Sequence, residues 1–191
     1  MGHSEGGRSS AIRRPGAGTD TVSYSYNGSG QIQTVSSAGV TATYSYTGSS
    51  TTVTSPGLAT QTVNYSTSGL TAGMTTARTV AGQTATFTYC ISTDPDCPVG
   101  LLRVATTPES QTTTYSYNTR GLVTQMVQRD SDGINPITTI YDYPASCSGN
   151  VACNRPTSVS DAAGNVTNYT YSATHGGVTM VELPAPGAGQ P

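Results

Sequence analysis

The sequence predicts an all-β protein of tandem β-hairpins forming an extended, curved antiparallel sheet, and three observations predict it. Tyrosines recur in pairs two residues apart. Turn-forming Gly, Asn, Ser and Pro punctuate the chain between the pairs, and no stretch carries convincing helical periodicity. All 12 tyrosines fall in seven marks, Tyr24/Tyr26, Tyr44/Tyr46, Tyr65, Tyr89, Tyr115/Tyr117, Tyr141/Tyr143 and Tyr169/Tyr171, and the one phenylalanine, Phe87, completes the pair with Tyr89. Residues i and i+2 of a strand share a face, so each pair presents both rings to one side, and successive copies line them into a ladder.

The spacing between marks sets the period. Tyr24 to Tyr44 is 20 residues, Phe87 to Tyr115 is 28, Tyr115 to Tyr141 is 26 and Tyr141 to Tyr169 is 28. Self-similarity at such intervals is the signature of repeat architecture. At 191 residues the chain fits one domain or one piece of a longer array. Charged residues are only 9% of it, and Thr, Val and Tyr dominate. That composition suits a pleated, half-buried surface better than a disordered coil, which demands high charge and few aromatics.

Taken in order, residues 1–19 are Gly, Ser, Arg and Pro without periodicity and read as a flexible leader. From Asp20 the alternation starts: Val22, Tyr24 and Tyr26 share a face, Asn27 to Gly30 turn, and QIQTV returns as a second strand. The next unit alternates Val40, Ala42, Tyr44 and Tyr46, turns at Thr47-Gly48 and closes at Pro56-Gly57. A third keeps Val63 and Tyr65 and loses the second ring. In the fourth, Ala85, Phe87 and Tyr89 precede a cysteine loop, and VGLLRVATTPE resumes the return strand. TTTYSYNTRGLVT, ITTIYDYP and RPTSVSDAAGNVTNYTY complete about seven hairpins over 20–175. Residues 176–191 read as a Gly/Pro-rich tail.

The cysteines form two local pairs, Cys90 with Cys97 (CISTDPDC) and Cys147 with Cys153 (CSGNVAC), each just after a tyrosine strand. They read as inserted loops that could each close a small disulfide in an oxidising compartment. A zinc site is the sharper alternative, but neither pair has a two-residue gap, and the histidines are only His3 and His175. We therefore expect no metal.

DAAGNVTNYTY (Asp161 to Tyr171), with RPTSV before it, and TTYSYNTRGLVTQMV (Thr113 to Val127) resemble the YD repeat of the RHS (rearrangement hotspot) family. There a Tyr-x-Tyr-Asp strand is followed by a Gly turn and a short Leu/Val-Thr strand. The resemblance covers about residues 20 to 175. Asn27, Thr47 and Asn118 stand where the family has Asp, and Asp142 lies between the two rings of YDY, so the turn chemistry is expected to drift from copy to copy. The resemblance implies a segment of a β-sheet wall that, in full-length bacterial members, spirals into a shell around a C-terminal toxin. It implies a secreted or cell-surface setting within a larger protein. The partners implied are the rest of the shell and its cargo.

Other chemistries are thinly represented. The net charge of -2 and the eight scattered Arg, without a Lys, give no footprint for nucleic acid. No apolar run approaches membrane-spanning length, and the N-terminal stretch lacks the apolar core of a secretory signal, so the piece is either cytoplasmic when made or exported by a signal outside it. The ring ladder could be a glycan-binding platform, as in an adhesion module. Against that stands its role as the packing element of a sheet poor in Leu and Phe, which we favour because the rings recur in every copy. A non-functional fragment of a larger RHS gene is a third reading. Asp130, Asp132, Gly133 and Asn135 open like a calcium loop, but its twelfth position is Tyr141 where a bidentate Glu belongs, so a hairpin turn is expected. Asp94-Pro95-Asp96 reads as turn chemistry too. Candidate bases are scarce: His3 sits in the leader, His175 in THGG, and beyond Glu5 only Glu109 and Glu182 exist. No stretch resembles the self-cleaving core segment of the family, and no enzyme, catalytic residue or cofactor is expected.

Overall fold

A computed structural model describes residues 8–185. Its regular structure there is β apart from one 3-10 turn, Gly69–Thr71. The strands are β1 (Ala11–Ile12), β2 (Val22–Tyr26), β3 (Ile32–Ser37), β4 (Val40–Tyr46), β5 (Ser50–Thr54), β6 (Gln61–Tyr65), β7 (Thr75–Val80), β8 (Gln83–Tyr89), β9 (Leu102–Thr106), β10 (Thr112–Tyr117), β11 (Val123–Arg129), β12 (Ile137–Asp142), β13 (Ser158–Ser160), β14 (Val166–Tyr171) and β15 (Val178–Glu182). The chain divides into two compact units, Met1–Ala85 and Thr86–Pro191. Within each unit the strands pair antiparallel in chain order, β1 through β7 in the first and β8 through β15 in the second.

The protein is thus all-β, and the seven tyrosine marks occupy alternate strands, β2, β4, β6, β8, β10, β12 and β14, with Tyr143 one residue past the end of its strand. The leader expected over 1–19 carries structure in its described part. Ala11–Ile12 pairs with Val22–Ser23, and Ala11 is buried. A two-residue strand has too few positions to display alternation, which is why the sequence pattern starts only at Asp20. At the other end β15 lies inside the expected tail, hidden from pattern reading behind the Gly-rich exit THGG. Residues 1–7, with His3 and Glu5, and residues 186–191 fall outside the described range.

The two faces of the sheet differ. In β4 the residues Ala42, Tyr44 and Tyr46 are half-buried while Thr41, Thr43 and Ser45 between them are exposed, and β8 repeats this with Ala85, Phe87 and Tyr89 against Thr84, Thr86 and Thr88. In the first unit the face opposite the rings is a field of hydroxyls, whereas in the second Val104, Val127, Ile140 and Val166 interrupt it. In the first unit the registers place Ser25, Thr34, Thr43 and Thr54 in one cross-strand row and Ser45, Thr52, Thr62 and Thr79 in another. Neighbours in these rows hydrogen-bond directly, Ser25 Oγ to Thr34 Oγ1 at 2.7 Å and Thr52 Oγ1 to Thr62 Oγ1 at 3.0 Å. Such Thr/Ser pairs stabilise a sheet by a few tenths of a kcal/mol each, on the order of 0.2–1.

Among the described residues no second layer covers either face. Among the described residues the buried apolar side chains are Ala11, Cys90, Ala152 and Cys153, and only Cys90 is wholly enclosed. Soluble domains ordinarily bury one face of a sheet against another layer. Here burial comes from cross-strand neighbours, and the tyrosine rings at Tyr44 and Tyr46 are half-buried on their own face of the sheet.

Candidate functional site

The recurring site is the end of each tyrosine strand. At the end of five tyrosine strands the last tyrosine hydroxyl donates to a backbone carbonyl at or just before the start of the preceding strand. Tyr26 Oη reaches Ser9 O at 2.7 Å, Tyr46 Oη reaches Ile32 O at 2.6 Å, and Tyr65 Oη reaches Thr47 O at 3.2 Å. In the second unit Tyr117 Oη donates to Leu102 O at 2.5 Å and Tyr171 Oη to Pro156 O at 2.8 Å. Antiparallel geometry sets the end of one strand beside the start of the one before it, so the ring lies across the strand boundary and its hydroxyl clamps the neighbour. Tyr143 makes no such bond, because β12 ends at Asp142 and leaves that ring beyond the ladder.

A bulge accompanies four of these five clamps, the β4–β5 ladder at Tyr46 being regular. Register shifts fall at Ser25/Tyr26, Asn64/Tyr65, Thr88/Tyr89, Ser116/Tyr117 and Thr170/Tyr171. In each case the second residue of the return strand is the extra one; Tyr117 pairs with Val123 and Ser116 with Gln125, leaving Thr124 unopposed. A bulge bends the strand and sharpens its twist.

After the clamps at Tyr26 and Tyr117 the turn chemistry is the same. Asn27 Oδ1 accepts from the N–H of Ser29 at 3.1 Å and of Gln31 at 2.9 Å, while Asn27 N–H donates to Gln31 O and Gly30 N–H to Asn27 O. Asn118 repeats the set with Arg120, Leu122 and Gly121, and Asp161 repeats it with Ala163, Asn165 and Gly164 at the opposite end of a strand pair. The fourth residue takes positive φ each time, 76° at Gly30, 78° at Gly121 and 83° at Gly164. At Asn27 and Asn118 a side-chain amide oxygen accepts the same two N–H groups as the Asp161 carboxylate, so Asn stands in for Asp with the geometry unchanged. Thr47 departs further, accepting from Ser49 and Ser50 through its hydroxyl in a shorter turn.

Two cysteine loops crown this end of the second unit. Cys90 is bonded to Cys97 with Cα atoms 5.6 Å apart, and Cys147 to Cys153 with Cα atoms 4.9 Å apart. The first loop is pinned by Asp94, whose carboxylate accepts from Ile91 N–H and pairs with Arg103, the extra residue of the β9 bulge. Its backbone also meets the sheet, Cys90 N–H donating to Leu101 O at 2.8 Å and Tyr117 N–H to Asp96 O at 3.3 Å. The second is held by Arg120 from the Asn118 turn, whose guanidinium donates to Pro144 O at 2.7 Å and lies 3.1 Å from Cys147 Sγ. An open cleft of about 510 Å³ between Pro95, Cys97 and Tyr117 flanks one side of Asn118 and Thr119, and another of about 370 Å³ beside Tyr141 and Tyr143 flanks the other.

The ionisable groups are tuned by these contacts. Burial pushes the Tyr117 phenol up, helped by Tyr115, and burial does the same for Tyr143, helped by Tyr141 and Tyr171. Tyr171 is raised by burial, opposed by the Arg155 guanidinium 5.8 Å above its ring. The hydrogen bonds that Asp161 accepts from the Asn165 side chain and backbone hold its carboxyl below the usual range. Asp132 Oδ1 accepts from Ile134 N–H in the DSDGIN turn, and His175 Nδ1 from Gly177 N–H, so these residues serve turns. No cluster of three or more His, Cys, Asp or Glu able to hold a metal occurs among the described residues.

Sequence reasoning found the rings but missed their division of labour. Within each unit the first tyrosines, Tyr24 and Tyr44 in one and Tyr115, Tyr141 and Tyr169 in the other, lie on the ring face of their strands, whereas the last tyrosine of a strand ties it to its neighbour. A signal existed: the second tyrosine is the one directly followed by the turn residue. Arg103 as the anchor of the first cysteine loop left no sequence signal, because its partnership with Asp94 depends on a bulge.

No protein-family model matches the chain, and no curated protein does. Among solved structures the chain is similar to a porin-like protein from Bacteroides uniformis at 15% identity and a TM-score of 0.37, over 84% of this chain and 79% of that one.

Proposed function

We propose that this chain is a structural segment of an RHS/YD-repeat wall, one of many hairpin repeats building a β-sheet that encloses a C-terminal toxin in a bacterial secreted or cell-surface protein. The observation that carries the reading is the single-layer sheet in each unit, with five tyrosine clamps and no covering layer among the described residues. A wall needs lateral continuity and two accessible faces, and stability drawn from neighbour to neighbour is what repeat arrays rely on. The partners on this reading are further repeats and the cargo, and no residue is assigned a catalytic role. Binding to carbohydrate is the weaker reading, because five clamp hydroxyls are already committed to backbone carbonyls.

The test is to detect the native product with an antibody against this chain. The wall reading expects a polypeptide far larger than 19.5 kDa that co-purifies with a protease-protected C-terminal domain. A 19.5 kDa product with no protected companion would overturn it.

A further inference from the structure

The two cysteine loops differ in charge. Asp94 and Asp96 lie inside CISTDPDC, and the cation that meets that loop, Arg103, is paired with Asp94. CSGNVAC holds no acid, and Arg120 reaches it from the Asn118 turn, with Nη1 3.1 Å from Cys147 Sγ and Nη2 donating to Pro144 O. Among the described residues no carboxylate lies in ion-pair range of Arg120. The other titratable groups flanking the loop are engaged: Asp142 Oδ2 accepts from Ser158 Oγ at 2.8 Å, Arg155 lies over the Tyr171 ring, and His175 Nδ1 accepts from Gly177 N–H. Exposure differs between the loops as well. Cys90 is wholly enclosed and Cys97 half-buried, whereas Cys147 is exposed and its partner Cys153 is buried. Cys147 sits between β12 and β13 with paired strands on both sides, so its exposure owes nothing to a sheet edge.

We propose that Cys147 is a thiol-exchange site, at which an acidic low-molecular-weight thiol opens the Cys147–Cys153 bond and forms a mixed disulfide while Cys90–Cys97 stays closed. The incoming thiolate attacks Cys147 Sγ, the exposed sulfur of the pair, and is drawn there by the unopposed guanidinium. The S–S bond breaks, its electron pair leaves on Cys153, and that sulfur takes a proton from water. Asn154 Oδ1, 3.7 Å from Cys153 Sγ, is placed to accept from the new S–H, and burial favours that neutral thiol. A second thiolate then attacks the sulfur of the attached thiol, which departs as a symmetrical disulfide and leaves Cys147 as a thiolate. Arg120 stabilises that thiolate, and a sulfur of lower pKa leaves faster. In sum one protein disulfide is reduced and two external thiols are oxidised. The first loop lacks both features, an exposed cysteine and an unpaired cation, and serves as the internal control.

The test incubates the oxidised 191-residue chain with reduced glutathione, quenches in acid and maps each cysteine by mass spectrometry. Cys147–Cys153 should open about tenfold faster than Cys90–Cys97, with glutathione carried on Cys147. Cysteamine, a cationic thiol, should narrow that gap. In Cys153→Ser, which leaves Cys147 free, alkylation against pH should inflect below the ordinary thiol value of about 8.5. Adding Arg120→Gln should raise the inflection, and Arg120→Lys should keep it low, because the charge and not the bond to Pro144 O sets it. Equal or faster opening of Cys90–Cys97, glutathione on Cys153, a gap unchanged with cysteamine, or an inflection that Arg120→Gln leaves unmoved would each overturn the site. The wall reading is judged on the cellular product, so the two can fail separately.

Discussion

Of the two tyrosines in a pair, the second carries the hydroxyl that reaches the neighbouring strand, and this predicts different costs for the same chemical change. Tyr171→Phe removes the donor to Pro156 O and should destabilise the second unit by about 0.5–1.5 kcal/mol. Tyr44→Phe deletes a hydroxyl that bonds to no protein group and should stay within about 0.5 kcal/mol of the parent. Equal losses in urea denaturation would deny the clamp. Ser110 stands at φ 67° where the equivalent turns have Gly, its N–H bonding Thr107 O as Gly121 bonds Asn118 O. Ser110→Gly should thus raise stability by about 0.5–1 kcal/mol by relieving a left-handed conformation, read as a higher melting temperature. The phenols of Tyr117, Tyr143 and Tyr171 are raised, so their neutral forms favour the fold. That stability is complete below the ordinary tyrosine value of about 10 and is lost as pH rises through their folded values. Unfolding should therefore ease in strongly alkaline buffer, followed by phenolate absorbance. Asp161 works in the other direction, its contribution present above the ordinary carboxylate range and lost as pH falls through its own lower value.

At the scale of elements, strands and their faces could be read from alternation, because period two and the i, i+2 tyrosines report directly on the pleat. Val40, Ala42, Tyr44 and Tyr46 are on one face as their spacing demands. The strand of two residues at Ala11 and the strand after THGG could not be read, the first being too short for a period and the second having apolar residues on both faces. Bulges were equally silent, since an extra residue such as Arg103 or Thr124 looks like any other strand position until its partner is known. The second cysteine loop should matter locally. Val151 packs 3.2 Å from where a Cβ on buried Gly176 would sit, so the loop braces the 172–177 turn. Replacing Cys147 and Cys153 by Ser should speed hydrogen exchange in 144–155 and 172–177 while β2 to β7 keep their protection. Uniform loss across the chain would contradict a local brace.

For the whole molecule the absence of a covering layer among the described residues has a thermodynamic signature. Unfolding heat capacity follows apolar exposure, and a globular chain gives about 12–15 cal/mol/K per residue. With so few enclosed apolar side chains, calorimetry should return a distinctly smaller value and a broad transition. A sharp transition with the full globular value would mean that a hidden core exists and would remove the basis of the wall reading. Composition already hinted at this, because a sequence rich in Thr and Ser has little to enclose. Two compact units were not legible, since the tyrosine period runs through the boundary at Ala85 without a break.

The reach of the clamp bears on how such a chain is made. Each of the five clamp bonds from a tyrosine hydroxyl returns to a carbonyl 14 to 18 residues earlier. A hairpin is thus complete, turn, ladder and clamp together, as soon as its own second tyrosine has appeared, with nothing downstream required. Loop closure over so few residues takes well under a microsecond, on the order of 10–100 ns for ten residues. Delivered from the N-terminus by a ribosome or through a translocation pore, the chain can harden strand pair by strand pair behind the point of emergence, so that delivery in one direction becomes the folding pathway.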